Sequence, residues 1–432
     1  MSMSHKGQSV NAIRDSIVNL PLSPTLKANQ AGVAARASGK RVLQMGFGQS
    51  PFPVHPALAR ALADHAGHNS YDHVAGLAEL RESALHYFAD RNGVDSSQFD
   101  VIVGPGSKLI LYALQMAISG DLIVPVPSWV SYAPQAAMLG DQVVSVPASL
   151  TPAGYQLEPD SLLSAIHRAR SRGYNPTKLI LNSPNNPTGL CMPPADYPPL
   201  VDVCRREGIF IISDEIYSLV TFDGTLESIA SLHPAGSAVT TGLSKYLSLG
   251  GWRVGFGLIP TGYAGLFDAV SAIASETWSG VSAPVQRAAM LAVAGQPDIE
   301  AHVDLCTRIH GAVARAVAAR LAEGGIHCLE PQGAFYLWPD FGPMRKRLKQ
   351  RGITTSESLS EALLAERGVL SLPGTAFGAP PEALALRLSV CDYDGAAALE
   401  MCREYSDPAN LVEAFAPRVD AAARAIAAFV QE

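Results

Sequence analysis

Residues Phe210 to Val220 read FIISDEIYSLV, an apolar run that ends abruptly at a serine, two carboxylates and a tyrosine. Consecutive apolar residues without polar alternation mark a strand buried on both faces, the kind found in parallel sheets covered by helices. The pattern recurs upstream. Val101-Ile102-Val103 ends at Gly104, Leu122-Ile123-Val124 at Pro125, and Leu179-Ile180-Leu181 at Asn182. Between these runs lie helix-like stretches such as Leu109 to Ser119 and Ser161 to Arg172. The alternation predicts an α/β fold: a mostly parallel central sheet with helices on both faces. Ligands in such sheets sit beyond the carboxyl ends of the strands, so the residues just after each run are the ones to read for chemistry.

Outward from this region, a long helical pattern runs from about Pro297 to Gly324. The segments PQGAFYLWPDF and LRLSVCDYD then read as strands of a smaller α+β lobe. The first 45 residues hold Pro21, Pro24 and a helix candidate over Thr25 to Ala37, too little for a domain. The expected organisation is an N-terminal arm over 1–48, a large domain over 49–300 and a small C-terminal domain over 301–432. No internal repeat or low-complexity segment is visible.

The 432 residues are 48% apolar and 16% charged, as in a well-packed globule large enough for two lobes. The formal charge of −7 argues against a general nucleic-acid surface, and the short basic run Arg345 to Arg351 is expected to be a solvated helix face. Six scattered cysteines, without a CxxC pair, read as reduced and mostly buried thiols. His65, His68 and His73 have no metal-ligand spacing and read as a polar connecting segment, so no metal is expected. No stretch of about 20 apolar residues occurs, so no membrane span is expected. Lys6, Asn11, Arg14, Asp15 and Asn19 interrupt the start of the chain, and a cytoplasmic protein is the expectation.

The strand ends carry chemistry. In VGPGSKLILYALQ, glycines and Ser107 precede a helix, which is either an ordinary turn or a cradle for a phosphate at the positive helix end; the order Ser107-Lys108 is not a Walker pattern. Trp129 in VPVPSWVSY can stack on a flat ring or simply fill the core. Asn186 sits in the rigid turn LNSPNNPTG. Asp214 follows a buried strand and needs a cationic partner, with Tyr217 three residues on. In TTGLSKYLSLGGWRVGFG, Thr240 to Gly257, a lysine stands among apolar and glycine residues. A desolvated lysine leans toward its neutral form and can add to a carbonyl as a Schiff base. Arg253, eight residues later, offers planar bidentate recognition of a phosphate. Each piece alone is ambiguous; together, in this order, they describe a site for pyridoxal 5′-phosphate.

The sequence resembles the fold-type I pyridoxal-phosphate enzymes, specifically the class I/II aminotransferases of the aspartate aminotransferase superfamily. The resemblance extends from SPTLKANQAGVAARASGKRVLQMGFGQSPF to LRLSV. It implies that Lys245 is the Schiff-base lysine and Arg253 a phosphate ligand. Asp214 would pair with the pyridinium, and Tyr217 would donate to the phenolic oxygen. Asn186 would reach that oxygen and the substrate carboxylate, and Trp129 would stack on the ring. Gly106, Ser107 and Lys108 correspond to the phosphate loop, with Ser244 a further hydroxyl. Arg387 would bind the substrate α-carboxylate, and Gly48 would lie at the substrate edge. Tyr71 matches a tyrosine that reaches the phosphate of the neighbouring subunit, which implies a homodimer with shared active sites.

Two departures stand out. Gly242 occupies a position where many relatives carry a serine, and SETWSGVSAP has no arginine to read a distal carboxylate. Trp278 stands in that stretch; Arg287 is the arginine that keeps acidic substrates open. Trp129, Tyr132 and Trp278 hint at a roomy aromatic pocket, or at simple packing. The function implied is transamination between an amino acid and a 2-oxo acid by a ping-pong cycle. The alternatives are a lyase, decarboxylase or cyclising synthase of the same fold, or a ligand-sensing module, against which stands the lack of a helix-turn-helix pattern.

Overall fold

The computed structural model describes residues 13–18, 20, 22–39, 41–224, 226–404 and 407–432. Lys6, Asn11, Asn19 and Pro21 lie outside the described residues. The apolar runs form a seven-stranded sheet. Its strands are β1 (Phe99–Gly104), β2 (Asp121–Val126), β3 (Val143–Pro147), β4 (Pro176–Asn182), β5 (Phe210–Asp214), β6 (Ser237–Gly242) and β7 (Gly255–Pro260). The spatial order is β1-β7-β6-β5-β4-β2-β3, and β7 alone runs antiparallel to its neighbours. Side chains leave each strand on alternate faces, so neighbouring residues enter different cores: Val101 and Val103 one, Ile102 another, and Ile211 and Ile212 opposite sides. Both faces are therefore apolar and both are covered by helices, as the unbroken apolar runs require.

The N-terminal helix α1 (Pro24–Ala37) precedes the sheet, and α2 (Ser107–Ala117) follows β1 directly. The helix α3 (Pro297–Glu323) runs across the expected boundary at residue 300 without a break. Beyond it lies a three-stranded antiparallel sheet of β8 (Tyr336–Leu337), β9 (Leu372–Pro373) and β10 (Leu386–Ser389), in the order β8-β10-β9, followed by α4 (Pro417–Phe429). One buried cluster joins Val101 and Val239 of the large sheet to Leu386 and Ile426 of the smaller lobe through α3. The arm is tied to that lobe: Leu43–Gln44 pairs in parallel with Val369–Leu370, and Asp392 accepts from the Gln44 amide at 2.9 Å and from Arg418.

The basic run forms a helix, Arg345–Gln350, whose charged residues are exposed, as expected of a solvated face. It also makes contacts: Arg347 donates to the Val430 carbonyl at 2.6 Å and Arg351 to that of Phe429 at 2.7 Å, serving the free carbonyls at the end of α4. All six cysteines are free and four are buried. Among the described residues, no helix is long and apolar enough to cross a membrane.

Candidate active site

Strand register builds the floor of the site. Asn182, Asp214 and Thr240 face one another across β4, β5 and β6 at the carboxyl edge of the sheet. The Thr240 hydroxyl donates to Asp214 Oδ1 at 3.2 Å, the Asn182 amide donates to the Asp214 carbonyl at 2.8 Å, and Asn182 Oδ1 accepts from the Asn186 backbone at 2.7 Å. The Tyr132 hydroxyl completes the carboxylate's shell, donating to Oδ2 at 2.6 Å. Burial pushes the Asp214 carboxyl up to about 6, against these donors, so it is ionised at neutral pH.

Above this floor lies a cavity of about 610 Å³. Lys245, in the turn after β6, projects into it. Its Nζ donates to the Gly48 carbonyl at 3.4 Å and lies 5.5 Å from the Tyr217 ring centroid and 5.6 Å from that of Phe335. Burial pulls its amine down to about 8, with the Arg387 and Arg253 charges acting in the same direction. Asp214, Tyr217, Asn186 and Gly48 share the cavity wall.

At one end, Arg253 holds a left-handed backbone (φ 56°), and its guanidinium donates to the carbonyls of Gly250 at 3.0 Å and Pro105 at 3.2 Å. Gly106 stands behind it at the N-terminus of α2, where a Cβ would strike the Arg253 guanidinium. A Cβ at Gly255 would strike the Ser107 amide, so the close approach of β7 to this helix end needs glycine. Ser107, Lys108, Ser244 and Trp129 line the same end, with Lys108 Nζ 4.9 Å from the Trp129 ring.

At the other end, Arg387 is 1% exposed. It donates to the Gly46 carbonyl at 2.5 Å and to Asn186 Oδ1 at 3.3 Å, and its buried Nε has no partner among the described residues. An arginine this buried without a carboxylate, and with a spare donor, is suited to grip an anion that enters from the cavity.

Three residues singled out in the sequence lie outside this chain's cavity. Tyr71 is 96% exposed and does not line its own chain's cavity. Trp278 packs beside Gly104 against the core around α2 instead of lining the cavity. Arg287 is held by Asp72 in a bidentate pair at 2.9 and 3.1 Å. Gly242 has a steric reason for departing from serine: a Cβ there would lie 2.7 Å from the Val254 carbonyl oxygen and 2.9 Å from Gly255 Cα. Residues 25 and 26 of α1 and Tyr336 line the cavity although the sequence motifs assign them no role, and Asn182, which ends the Leu179–Leu181 run, lines it as well.

The sequence model of the family described as aminotransferase class I and II matches residues 40–403. This chain belongs to that family. It is 33% identical over 374 residues to an aspartate aminotransferase of Geobacillus stearothermophilus, an overlap of 84% of this chain and 91% of that one. It is 30% identical over 377 residues to an asparagine–oxo-acid transaminase of Streptococcus mutans, with the same two coverages. The fold matches that of the Thermus thermophilus aspartate aminotransferase solved with maleate: TM-score 0.79 at 24% identity, over 96% of this chain and 99% of that one. This aminotransferase therefore moves an amino group between an amino acid and a 2-oxo acid, and these relatives lend nothing to the lyase, decarboxylase or synthase alternative.

Proposed function

We propose that the cavity holds pyridoxal 5′-phosphate on Lys245 and that the protein works as a homodimer, in two half-reactions of a ping-pong cycle. The observation that carries this reading is the Lys245 amine, driven toward neutrality by burial and hydrogen-bonded to a carbonyl instead of a carboxylate. The donor set fits the cofactor. Arg253, Ser107 and the N-terminus of α2 suit a phosphate, with Lys108 and Ser244 beside them. Asp214, ionised and deeply buried, suits a protonated ring nitrogen, and Trp129 offers a ring face. Asn186 and Tyr217 suit the ring oxygen.

Bound pyridoxal phosphate supplies a carbon that can hold the amino nitrogen and a ring that takes up the electron pair left at the substrate Cα. The chain's own residues do the rest. Arg387 and Asn186 grip the substrate α-carboxylate and fix which bond at Cα is exposed. Lys245 Nζ would hold the cofactor and, as a base beside the bound substrate, would remove the Cα proton. Asp214 keeps a positive charge on the ring nitrogen favourable throughout. Tyr71, exposed on its own subunit, serves the partner's phosphate site.

Aspartate and asparagine, named in the relatives, are the first donors to try. The absorbance of the purified protein with added cofactor should show a visible band that bleaches when a competent amino acid is added without any oxo acid. Lys245→Ala should lose that band and slow turnover by roughly a thousandfold or more. Near-normal turnover in that variant would sink the assignment. Oxo acid accumulating without an acceptor, while the band recovers, would move the reading to elimination chemistry.

A further inference from the structure

Two phenol hydroxyls meet 2.8 Å apart in the cavity wall, those of Tyr217 and Tyr336. Tyr217 follows β5 of the large sheet. Tyr336 belongs to β8 of the small sheet, where it pairs with Ser389, two residues beyond Arg387. The Arg387 guanidinium lies 4.6 Å from the Tyr336 ring centroid and 5.0 Å from that of Phe377. Tyr336 is locked at both ends: a Cβ on Gly48 would collide with its hydroxyl, and one on Gly189 with its carbonyl oxygen. Gly48 keeps open the space that the side chain fills, and Gly189 admits the backbone that carries it.

We propose that Tyr336 is a positioning residue for transamination: its hydroxyl aligns and polarises the Tyr217 O–H, and its ring holds the Arg387 guanidinium in place. The inference rests on the roles given above to Lys245, Tyr217 and Arg387. A phenol has one hydrogen to donate. If Tyr336 donates to the Tyr217 oxygen, the Tyr217 hydrogen is left for a partner in the cavity, and the two bonds strengthen each other. Either hydroxyl can donate across the 2.8 Å contact. Burial raises both phenols, Arg387 acts to lower both, and Asp214 acts to raise Tyr217; an acceptor in the cavity that takes the Tyr217 hydrogen selects the arrangement in which Tyr336 donates. Cys391 also faces Tyr336, and Lys245 stands over the Tyr217 ring. Tyr336 thus reaches, from the small lobe, both the residue that would grip the carboxylate and the one that would face the ring oxygen.

Two substitutions separate the hydroxyl from the ring. Tyr336→Phe keeps the ring and removes one hydrogen bond, so kcat should fall roughly three- to tenfold while the KM of the amino donor stays within about twofold. The pH midpoint of the bound cofactor's visible band should rise by roughly half to one unit, because a less polarised Tyr217 stabilises a negative ring oxygen less well. Tyr217→Phe should move it the same way and further, and Tyr217→Phe/Tyr336→Phe no further than Tyr217→Phe alone. Tyr336→Leu should add a rise in KM of roughly tenfold or less, from the lost ring against Arg387. A coloured, active wild type whose Tyr336→Phe variant keeps the same midpoint and kcat would overturn this inference alone; so would additive shifts in the double variant. A wild-type protein that stays colourless with added cofactor would overturn the reading of the whole site and this inference with it.

Discussion

The Lys245 amine, pulled down to about 8, has a consequence before any substrate arrives. Only the neutral amine attacks an aldehyde, and below its pKa the neutral fraction falls about tenfold per pH unit. Capture of pyridoxal phosphate by the cofactor-free protein should therefore speed up as pH rises through about 8 and then level off. Stopped-flow absorbance between pH 6.5 and 9.5, a span chosen to bracket that value, checks this; a rate flat across the range would contradict it. At Gly242 the expectation is steric. Gly242→Ser places a Cβ 2.7 Å from a backbone oxygen, and it should destabilise the fold by about 1–3 kcal/mol in denaturant titration, with no gain in cofactor affinity. Lys245, Asp214 and Asn186 were legible because each stands within a few residues of a strand end, in a motif of distinctive composition. Asn182 was visible only as the end of an apolar run, and Thr240 and Tyr336 carried no mark of a role. The first two gain their place from cross-strand register, and a tyrosine inside an apolar run looks like any core residue.

Among the elements, several strands and long helices were legible to within about two residues: Leu122 to Val124 against Asp121–Val126, and Pro297 to Gly324 against Pro297–Glu323. The order of strands in the sheet was not, because pairing depends on contacts between residues far apart in sequence. The long-range contacts made by the basic run were hidden for the same reason. Arg351 meets Phe429, 78 positions away, with its guanidinium 4.1 Å from that ring and 2.7 Å from Glu366. Arg351→Ala should cost about 1–2 kcal/mol, through the lost helix-end bond and the lost packing on Phe429, and leave kcat unchanged. Thermal unfolding read alongside turnover checks this; an unchanged melting temperature would return the run to a merely solvated face.

Across the molecule, Tyr71 stands beside the Asp72–Arg287 pair with almost its whole side chain in solvent, and the proposed role for it requires a second subunit. Hybrids give the decisive measurement. Lys245→Ala and Tyr71→Ala homodimers should each be impaired. Mixed dimers should regain activity at the one site that combines an intact Lys245 with the other subunit's Tyr71. No recovery in verified hybrids would place Tyr71 outside the neighbouring site. The row of Asn182, Asp214 and Thr240 carries a different lesson, for engineering. Its chemistry is set by backbone pairing, so a one-residue insertion in β4, β5 or β6 would turn the row away from the cavity. Residues 25 and 26 sit on the arm helix, and Gln49 on the segment leading into the sheet, so none depends on that pairing. Libraries meant to broaden the substrate range belong at those three positions, where diversity and catalysis do not compete for the same scaffold.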